Sequence, residues 1–378
     1  MGYHSSMIIK DYRRAPTSTR VGNSGFMYAI PINPLSFLLF VSSLVFALLP
    51  EPTQANEHGV ILLYHHVATD TPPSTSISPS DFEGHLQYLK DHNYNVIALD
   101  VMIQSLKSGQ ALPDKAVAIT FDDGYSSIYT TAFPLLKSFD YPFSLFLSTG
   151  PINNNQTNYM NWDQVREMAN EGVLIGNHMV EHPYMLERTD GESEQQWLGR
   201  LRNELLEAEE TIRNETGQTH HYLAYPYGEY NPAIKQMLSE LSFVGLAQNS
   251  GAVGINSDFL ALPRFPLASI YANIETASTK FSTLSFNMKL IEPLSPVTLN
   301  RSPRVTLQFQ AGNFIQSQIA CFANSRPIPM TWLDIDAGIL ELAPEEKFTG
   351  RRWRYICTAP DSGSTRYFWN SVQWINLN

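Results

Sequence analysis

Short apolar runs alternate with stretches of helical spacing over residues 59–281. A short apolar run bounded by turn residues is typical of a strand buried on both faces, whereas apolar residues three and four apart are typical of one helix face. Seven strands are predicted in this way: Val60–Tyr64, Val96–Ala98, Ala116–Thr120, Phe143–Leu147, Val173–Gly176, Tyr222–Tyr225 and Phe243–Ala247. Strands that alternate with helices favour an α/β fold, most simply a distorted (β/α) barrel of about seven parallel strands.

Capping residues predict where several helices begin. Ser80 followed by Glu83 is a capping-box pattern for a helix through Lys90, and a second cap is predicted over residues 161–164. His85 lies within the first of these helices and is predicted to be a surface residue. Other helices are predicted from Asp100, over Ser126–Ser138, over Glu194–Glu215 and from Asn231.

The pattern changes near Phe286, where a segment rich in Pro and Ser precedes short alternating runs. Alternation of apolar and polar residues is typical of strands with one buried face, so residues 287–378 are predicted to form an all-β sandwich domain. The α/β domain is placed before it, at residues 56–284. Strands of the β domain are predicted at Val305–Phe309, Ile315–Phe322, Trp353–Cys357 and Tyr367–Trp374.

The chain has two cysteines, Cys321 and Cys357, and both lie in this β domain. In an exported protein the simplest expectation is one disulfide between them. Together with Trp332 and Tyr355 they resemble the Cys, Trp and Tyr-x-Cys set of immunoglobulin-like sandwiches, although the two cysteines are close in sequence for that fold.

Residues 1–55 have the pattern of an export signal, because an uncharged apolar run over residues 34–50 follows basic residues. We expect cleavage after Ala55 and a secreted or periplasmic protein. A retained membrane anchor is the alternative, since the run is only slightly short for a spanning helix. Met7 and Met27 are alternative starts that would give the signal a more ordinary length.

The charge of the chain bears on its partners. With 25 Lys and Arg against 36 Asp and Glu, the formal net charge is −11. This balance argues against a nucleic-acid partner, because phosphate binding requires clustered basic residues. A membrane contact is expected only if the signal segment stays uncleaved, and the oligomeric state is left open.

Candidate catalytic residues follow two of the predicted strands. Asp122 and Asp123 follow one, within Thr-Phe-Asp-Asp-Gly-Tyr, and His178 and His182 follow another. Asp-Asp-Gly alone is ordinary turn chemistry, and a His pair four apart is often one helix face. However, the carboxyl ends of parallel strands meet at one edge of a sheet, where α/β folds collect their active sites. Such a set can hold one divalent metal and leave one carboxylate as a base.

These motifs strongly resemble those of the polysaccharide deacetylases, the NodB-homology group of carbohydrate esterases, over about residues 59–281. The resemblance implies that Asp123, His178 and His182 bind the metal and that Asp122 acts as the base. The metal implied is a divalent ion, most simply zinc, with cobalt or nickel as alternatives. Its positive charge would polarise an amide carbonyl and lower the pKa of water.

An amide also needs an acid, because an amine leaves poorly unless it is protonated. The usual acid of the family is a His near the end of the domain, but no His follows His221 in this chain. His65, directly after the strand Val60–Tyr64, resembles instead the permuted order of deacetylases that act on the poly-N-acetylglucosamine of biofilms. His65 is therefore the predicted acid, and His66 is its nearest rival.

The family motif Arg-x-Pro-Tyr is present only as Pro226 and Tyr227, without the Arg. Arg264 is the candidate to replace that Arg and to orient the base. By resemblance, the backbone N–H of Tyr227 helps to hold the oxyanion. Pro226 and Tyr125 are assigned to the same substrate-binding region. The motif Asp-x-Asp-Trp is also absent, which again matches the permuted subgroup.

The sequence thus predicts a metal-dependent deacetylase that releases acetate from N-acetylglucosamine units of a polysaccharide, with poly-N-acetylglucosamine favoured. An O-acetyl esterase on xylan or another acetylated glycan is an alternative, because it uses the same metal site with less need of an acid. A non-catalytic glycan-binding protein, with the β domain as its working part, is the alternative outside catalysis. The intact Asp and His pairs count against that third hypothesis.

Overall fold

The computed structural model describes residues 57–378, which belong to one compact unit. The export-signal prediction and its cleavage after Ala55 lie outside the described residues. Between residues 57 and 378, no helix combines the length and the apolar character needed to cross a membrane.

A curled, mostly parallel sheet forms the centre of the α/β region, residues 58–281. The strands of this region are β1 (His58–Tyr64), β2 (His66–Val67), β3 (Ser76–Ile77), β4 (Asn95–Val96), β5 (Ala116–Phe121), β6 (Ser144–Leu147), β7 (Leu174–Asn177), β8 (Tyr222–Ala224), β9 (Val244–Leu246), β10 (Val253–Gly254) and β11 (Phe265–Pro266). Seven of them lie in the order β10-β1-β5-β6-β7-β8-β9, with β10 antiparallel to β1, while β4 pairs with β5 and β11 pairs with β1. This arrangement matches the predicted distorted barrel.

All seven predicted strands are present. The two-residue strands β10 and β11 were not predicted. The central strand β5 is buried at every position, as a strand covered on both faces must be. The helices of this region are α1 (Pro79–Asp91), α2 (Leu99–Lys107), α3 (Phe133–Phe139), α4 (Thr149–Asn153), α5 (Trp162–Asn170), α6 (Glu194–Thr216), α7 (Pro232–Glu240) and α8 (Ile274–Phe281).

The start of α1 differs from its prediction. Ser78, not Ser80, caps the helix, because its hydroxyl accepts the backbone N–H of Asp81 at 3.0 Å. The surface prediction for His85 is also wrong, since this side chain is fully buried. Its Nδ1 lies 3.0 Å from the hydroxyl of Tyr64, and its Nε2 lies 2.6 Å from the carbonyl of Ala272.

Two other helix predictions are confirmed and one is corrected. Asn161 forms the predicted capping box at the start of α5, and Asn231 caps α7. The single helix expected over Ser126–Ser138 is instead a π-helical turn, Ile128–Ala132, that continues into α3.

The β region, residues 288–375, consists of two four-stranded antiparallel sheets. Their strands are β12 (Met288–Glu292), β13 (Val305–Phe309), β14 (Ala320–Ala323), β15 (Arg326–Pro327), β16 (Met330–Asp334), β17 (Ile339–Leu342), β18 (Arg352–Pro360) and β19 (Tyr367–Ile375). One sheet has the order β12-β13-β17-β16 and the other β15-β14-β18-β19. Leu307 and Leu340 from the first sheet share a core with Tyr355 and Trp374 from the second.

The strand expected over Ile315–Phe322 begins later than predicted, because Gln316–Gln318 forms a 3-10 turn before β14. Cys321 and Cys357 form the expected disulfide. They are register partners on β14 and β18, so the bond lies within one sheet, whereas the immunoglobulin disulfide joins two sheets. The all-β prediction is thus confirmed, with a disulfide placed differently from that of immunoglobulins.

Candidate active site

The candidate site lies at the carboxyl ends of β5 and β7. Asp122 and Asp123 directly follow β5, and His178 directly follows β7. The chain leaves β5 through a sharp turn, in which φ is 75° at Asp123 and 93° at Gly124. A Cβ atom at Gly124 would stand 2.8 Å from a methyl group of Leu147, and this φ disfavours other residues in any case. The glycine of the motif is therefore required by the turn that carries both carboxylates.

Three side chains bring their ligand atoms to one point. The Nε2 atoms of His178 and His182 lie 3.1 Å and 3.3 Å from Oδ1 of Asp123, and the three ligand atoms lie within 4.8 Å of one another. The Nδ1–H of His178 donates to the carbonyl of Ala224 at 2.7 Å. This bond leaves the lone pair of Nε2 free to face the cluster, which is how metal-binding histidines are commonly held.

The donor set fits a divalent cation. Oδ1 of Asp123 and Nε2 of His178 are buried, and neither makes a hydrogen bond within residues 57–378. Buried polar atoms normally have partners, so an unpartnered acceptor beside an unpartnered nitrogen indicates a place for an ion. One carboxylate and two imidazoles, with room for water or substrate, form a donor set typical of catalytic zinc sites.

The protonation states of the cluster suit this interpretation. Burial would raise the pKa of Asp123, but its interactions with His178 and His65 outweigh burial and hold the pKa far below its usual range. Burial lowers the pKa of His182 to about 4, and His178 adds to that shift. Burial also disfavours charge on His178, but the carboxylates of Asp122 and Asp123 outweigh it and raise that pKa. The two carboxylates thus favour a positive charge at this position, which a bound cation would supply.

Asp122 and Arg264 form a completely buried ion pair. Both side chains have 0% exposure, and the two terminal nitrogens of Arg264 each donate to one carboxylate oxygen of Asp122 at 2.7 Å. The Nε–H of Arg264 donates to the carbonyl of Ala247 at 2.9 Å. Burial would raise the pKa of Asp122, but Arg264, followed by His178, outweighs it and lowers the net pKa. The carboxylate is therefore ionised at neutral pH.

Arg264 reaches this position through a strand that was not predicted. It directly precedes β11, whose Phe265 and Pro266 pair with Leu62 and Leu63 of β1. Because β1 also pairs with β5, the strands next to Arg264 and Asp122 flank β1 on its two edges. The candidate replacement for the missing Arg thus lies against Asp122.

The cluster opens into a cavity of about 930 Å³. This volume is near the upper end of the usual range for ligand sites, about 300–1,000 Å³. Asp122, His178 and Arg264 are fully buried and do not line the cavity. The predicted site residues that line the cavity are His65, Asp123, Tyr125, His182 and Tyr227.

His65 and His66 differ in their surroundings. His65 lines the cavity together with Asp123 and His182. His66 instead stacks on the ring of Tyr125, with 3.6 Å between ring centroids. Burial, followed by the charge of His65, lowers the pKa of His66. Of the two, His65 is the residue placed to reach a ligand in the cavity.

The turn after β8, which we call the Tyr227 turn (residues 226–229), lies against the candidate metal cluster, the group formed by Asp123, His178 and His182. Tyr227 has φ 58°, a left-handed conformation that is uncommon for a large side chain. Its ring packs on that of His182 with 4.4 Å between centroids, and it stacks on Tyr184 at 3.9 Å. Pro226, which begins the turn, is buried.

Sequence reasoning missed the cavity residues that belong to the β region. Arg352, Trp353 and Arg354 at the start of β18 and Gln373 of β19 line the same cavity. The alternation of exposed Arg352 and Arg354 with buried Trp353 indicates an outward face on this strand. The pattern does not show what that face contacts, because the contact depends on how the β region packs against the α/β region.

The fold and the site together define a barrel-like α/β protein with a three-residue candidate metal site at the carboxyl ends of its strands. Comparison with known proteins identifies the class more closely. Residues 109–246 match the family described as polysaccharide deacetylase. This match covers a little over a third of the chain and agrees with the family that the motifs predicted.

Two similar proteins are both named poly-beta-1,6-N-acetyl-D-glucosamine N-deacetylase. The one from Staphylococcus epidermidis is 25% identical over 266 residues, which cover 60% of this chain and 91% of that protein. The one from Escherichia coli K12 is 22% identical over 259 residues, which cover 59% of this chain but only 38% of that protein. The chain thus spans well under half of the Escherichia coli relative.

A solved structure supports the fold. The Streptococcus pyogenes deacetylase PplD, determined in complex with acetate, matches with a TM-score of 0.53 and 23% sequence identity. The match covers 59% of this chain and 98% of that one. This likeness covers little more than the length of the α/β region.

Proposed function

We propose that this protein removes acetyl groups from N-acetylglucosamine residues of a polysaccharide, poly-β-1,6-N-acetylglucosamine, and releases acetate. The observation that carries the proposal is the buried cluster of Asp123, His178 and His182, which opens into a large cavity beside the Arg-bound carboxylate of Asp122. The printed names of the two relatives support the choice of substrate.

Asp123, His178 and His182 would hold a divalent metal, most simply zinc. When bound, such an ion supplies positive charge that polarises a carbonyl and lowers the pKa of water. Asp122 acts as the general base, because its carboxylate is ionised and each oxygen keeps a lone pair that Arg264 does not use. Arg264 orients that carboxylate through a two-point contact.

His65 acts as the general acid that protonates the leaving amine. Its position in the cavity wall, with Asp123 and His182, supports this role. The backbone N–H of Tyr227 contributes to the oxyanion hole, and Tyr125 and Pro226 shape the pocket around the acetyl group.

Free-amine release from N-acetylated glucosamine oligomers tests the proposal. Chelation should abolish the release, and zinc or cobalt should restore it. Asp123→Ala should lose both metal content and activity, whereas Asp122→Asn should keep the metal and lose activity at least 100-fold, as expected for a general base. Turnover by a verified metal-free Asp123→Ala protein would overturn the proposal.

The role of His65 predicts a dependence on the leaving group. His65→Ala should slow hydrolysis of the amide by about 100-fold or more, while an activated acetyl ester, whose leaving group needs no proton, should react nearly as fast as with the wild type. The matched control is His66→Ala, for which no such difference is expected. Equal losses on both substrates would remove His65 from the role of acid.

The organisation of the chain supports a role outside the cytoplasm. We propose that residues 1–55 direct export, that residues 56–284 form the catalytic domain and that residues 287–378 form an accessory domain. The disulfide between Cys321 and Cys357 supports export, because such bonds persist in oxidising compartments. Mass spectrometry of the mature protein, with a first residue at position 56, checks the proposed cleavage.

A further inference from the structure

The β region takes part in the wall of the cavity that contains the candidate metal cluster. Arg352, Trp353, Arg354 and Gln373 line it from β18 and β19, and His65, Asp123 and His182 line it from the α/β region. The cavity is therefore incomplete without the β region. Neither the family match, which ends at residue 246, nor the motifs assign any role to these strands.

Two of these residues bind the Tyr227 turn directly. A terminal nitrogen of Arg352 donates to the carbonyl of Tyr227 at 3.2 Å, and the guanidinium lies 5.3 Å from the centre of the Tyr227 ring. The side-chain amide of Gln373 donates to the carbonyl of Gly228 at 2.6 Å. A left-handed conformation at a tyrosine costs free energy and persists only where surrounding contacts hold it. The β region supplies such contacts.

An ion pair holds the end of the Tyr227 turn. Glu229 is completely buried, and Arg351 binds both of its carboxylate oxygens, at 2.7 Å and 2.8 Å. Arg352 adds a longer contact to Glu229 at 3.3 Å. Because Arg351 alone already pairs both oxygens, Arg352 can be replaced without leaving a buried carboxylate unpaired. Its contacts with Tyr227 can thus be tested separately.

We propose that the β region is a working part of the active site and that Arg352 is a positioning residue, which holds the Tyr227 turn against the metal cluster. The inference rests on the proposed function for its kinetic consequence. Tyr227 contacts the ring of His182 and carries the N–H assigned to the oxyanion, so a looser turn displaces both. Such displacement weakens binding of the transition state more than binding of the substrate.

The test compares Arg352→Ala and Arg352→Lys with the wild type on N-acetylglucosamine oligomers. For Arg352→Ala we expect kcat to fall about 10- to 100-fold with KM nearly unchanged, and for Arg352→Lys we expect partial rescue. Arg304→Ala is the matched control, because it removes an exposed Arg–Glu pair, with Glu341, from the same β region. Wild-type kcat in folded Arg352→Ala, or a rise in KM alone, would overturn the positioning role.

A second measurement does not depend on turnover. The visible absorption of cobalt bound to the full-length protein reports the position of His182. Arg352→Ala should change that spectrum and weaken cobalt binding, whereas Arg304→Ala should change neither. If the wild type released no amine from any N-acetylated glycan, the proposed function would fail. The cobalt spectra would still decide the positioning role, and identical spectra for wild type and Arg352→Ala would reject it.

Discussion

Asp122 carries its charge at a position with no exposure to solvent. Moving a carboxylate from water into a protein interior costs several kcal/mol, and only good geometry with a partner offsets that cost. Arg264 supplies such geometry, because its planar guanidinium matches both oxygens at 2.7 Å. The result is a carboxylate that stays ionised and cannot rotate freely.

Replacing Arg264 with glutamine should therefore affect both stability and pH dependence. We expect Arg264→Gln to lower the free energy of unfolding by about 3 to 5 kcal/mol, because it leaves a buried carboxylate without its counter-ion. Urea unfolding measures this loss. The matched control is Arg213→Gln, whose partner Glu210 is about half exposed, and its loss should stay below about 1 kcal/mol.

The pH dependence follows from the sign of the shift at Asp122. In the wild type its pKa is lowered, so its contribution to stability is present above the unfolded value, about 3.9, and is lost as pH falls through the native pKa. Without Arg264, burial raises the pKa of Asp122. Both the pH range in which stability is lost and the acid limb of kcat/KM should therefore move to higher pH. Coincident pH profiles for Arg264→Gln and wild type would contradict this reading.

At the residue scale, local sequence predicted the cluster because its members follow two strands within short motifs. The structure brings Asp123, His178 and His182 together as expected, while their metal-binding role remains a proposal. Arg264 lies 142 positions after Asp122 and has no motif of its own. Arg264 was the predicted candidate to orient Asp122, but only the pairing of β11 with β1 places it there.

At the scale of elements, strongly patterned segments were predictable, whereas most two-residue strands were not. Strands such as β5 follow from runs of apolar residues, because burial on both faces leaves a clear pattern. Strands β10 and β11 have two residues each, which is too short for any periodicity. His85 was misplaced for a related reason, since the pattern of α1 does not show that this face packs on Tyr64 and Ala272.

At the scale of the whole molecule, hydrogen bonds among the described residues join the α/β region to the β region, and several of them are buried. The hydroxyl of Ser371 donates to the carbonyl of Ser250 at 2.6 Å, and the side-chain amide of Asn249 donates to the carbonyl of Ser371 at 3.1 Å. The indole of Trp369 donates to Ser250 at 3.1 Å and packs on Phe265 beside Arg264. Separation of the two regions would leave these polar groups unpaired.

The two regions should consequently unfold together. We expect one calorimetric transition, with equal calorimetric and van't Hoff enthalpies. Trp369→Ala, which removes the ring and its hydrogen bond, should lower the transition temperature and broaden or split the transition. Phe139→Ala is a suitable control, because this ring is only partly buried and belongs to helix α3 of the α/β region. Two well-separated transitions in the wild type would show that the regions are independent.

The sequence by itself determined most of the elements and the residues of the candidate site, because both depend on local patterns: apolar runs define the strands, and the Asp and His motifs follow them. Tertiary structure alone decided which distant groups meet. Arg264 reaches Asp122 through β11, and Arg352 and Gln373 reach the Tyr227 turn from a separate pair of sheets. These contacts depend on the packing of whole regions, and no short stretch of residues specifies that packing.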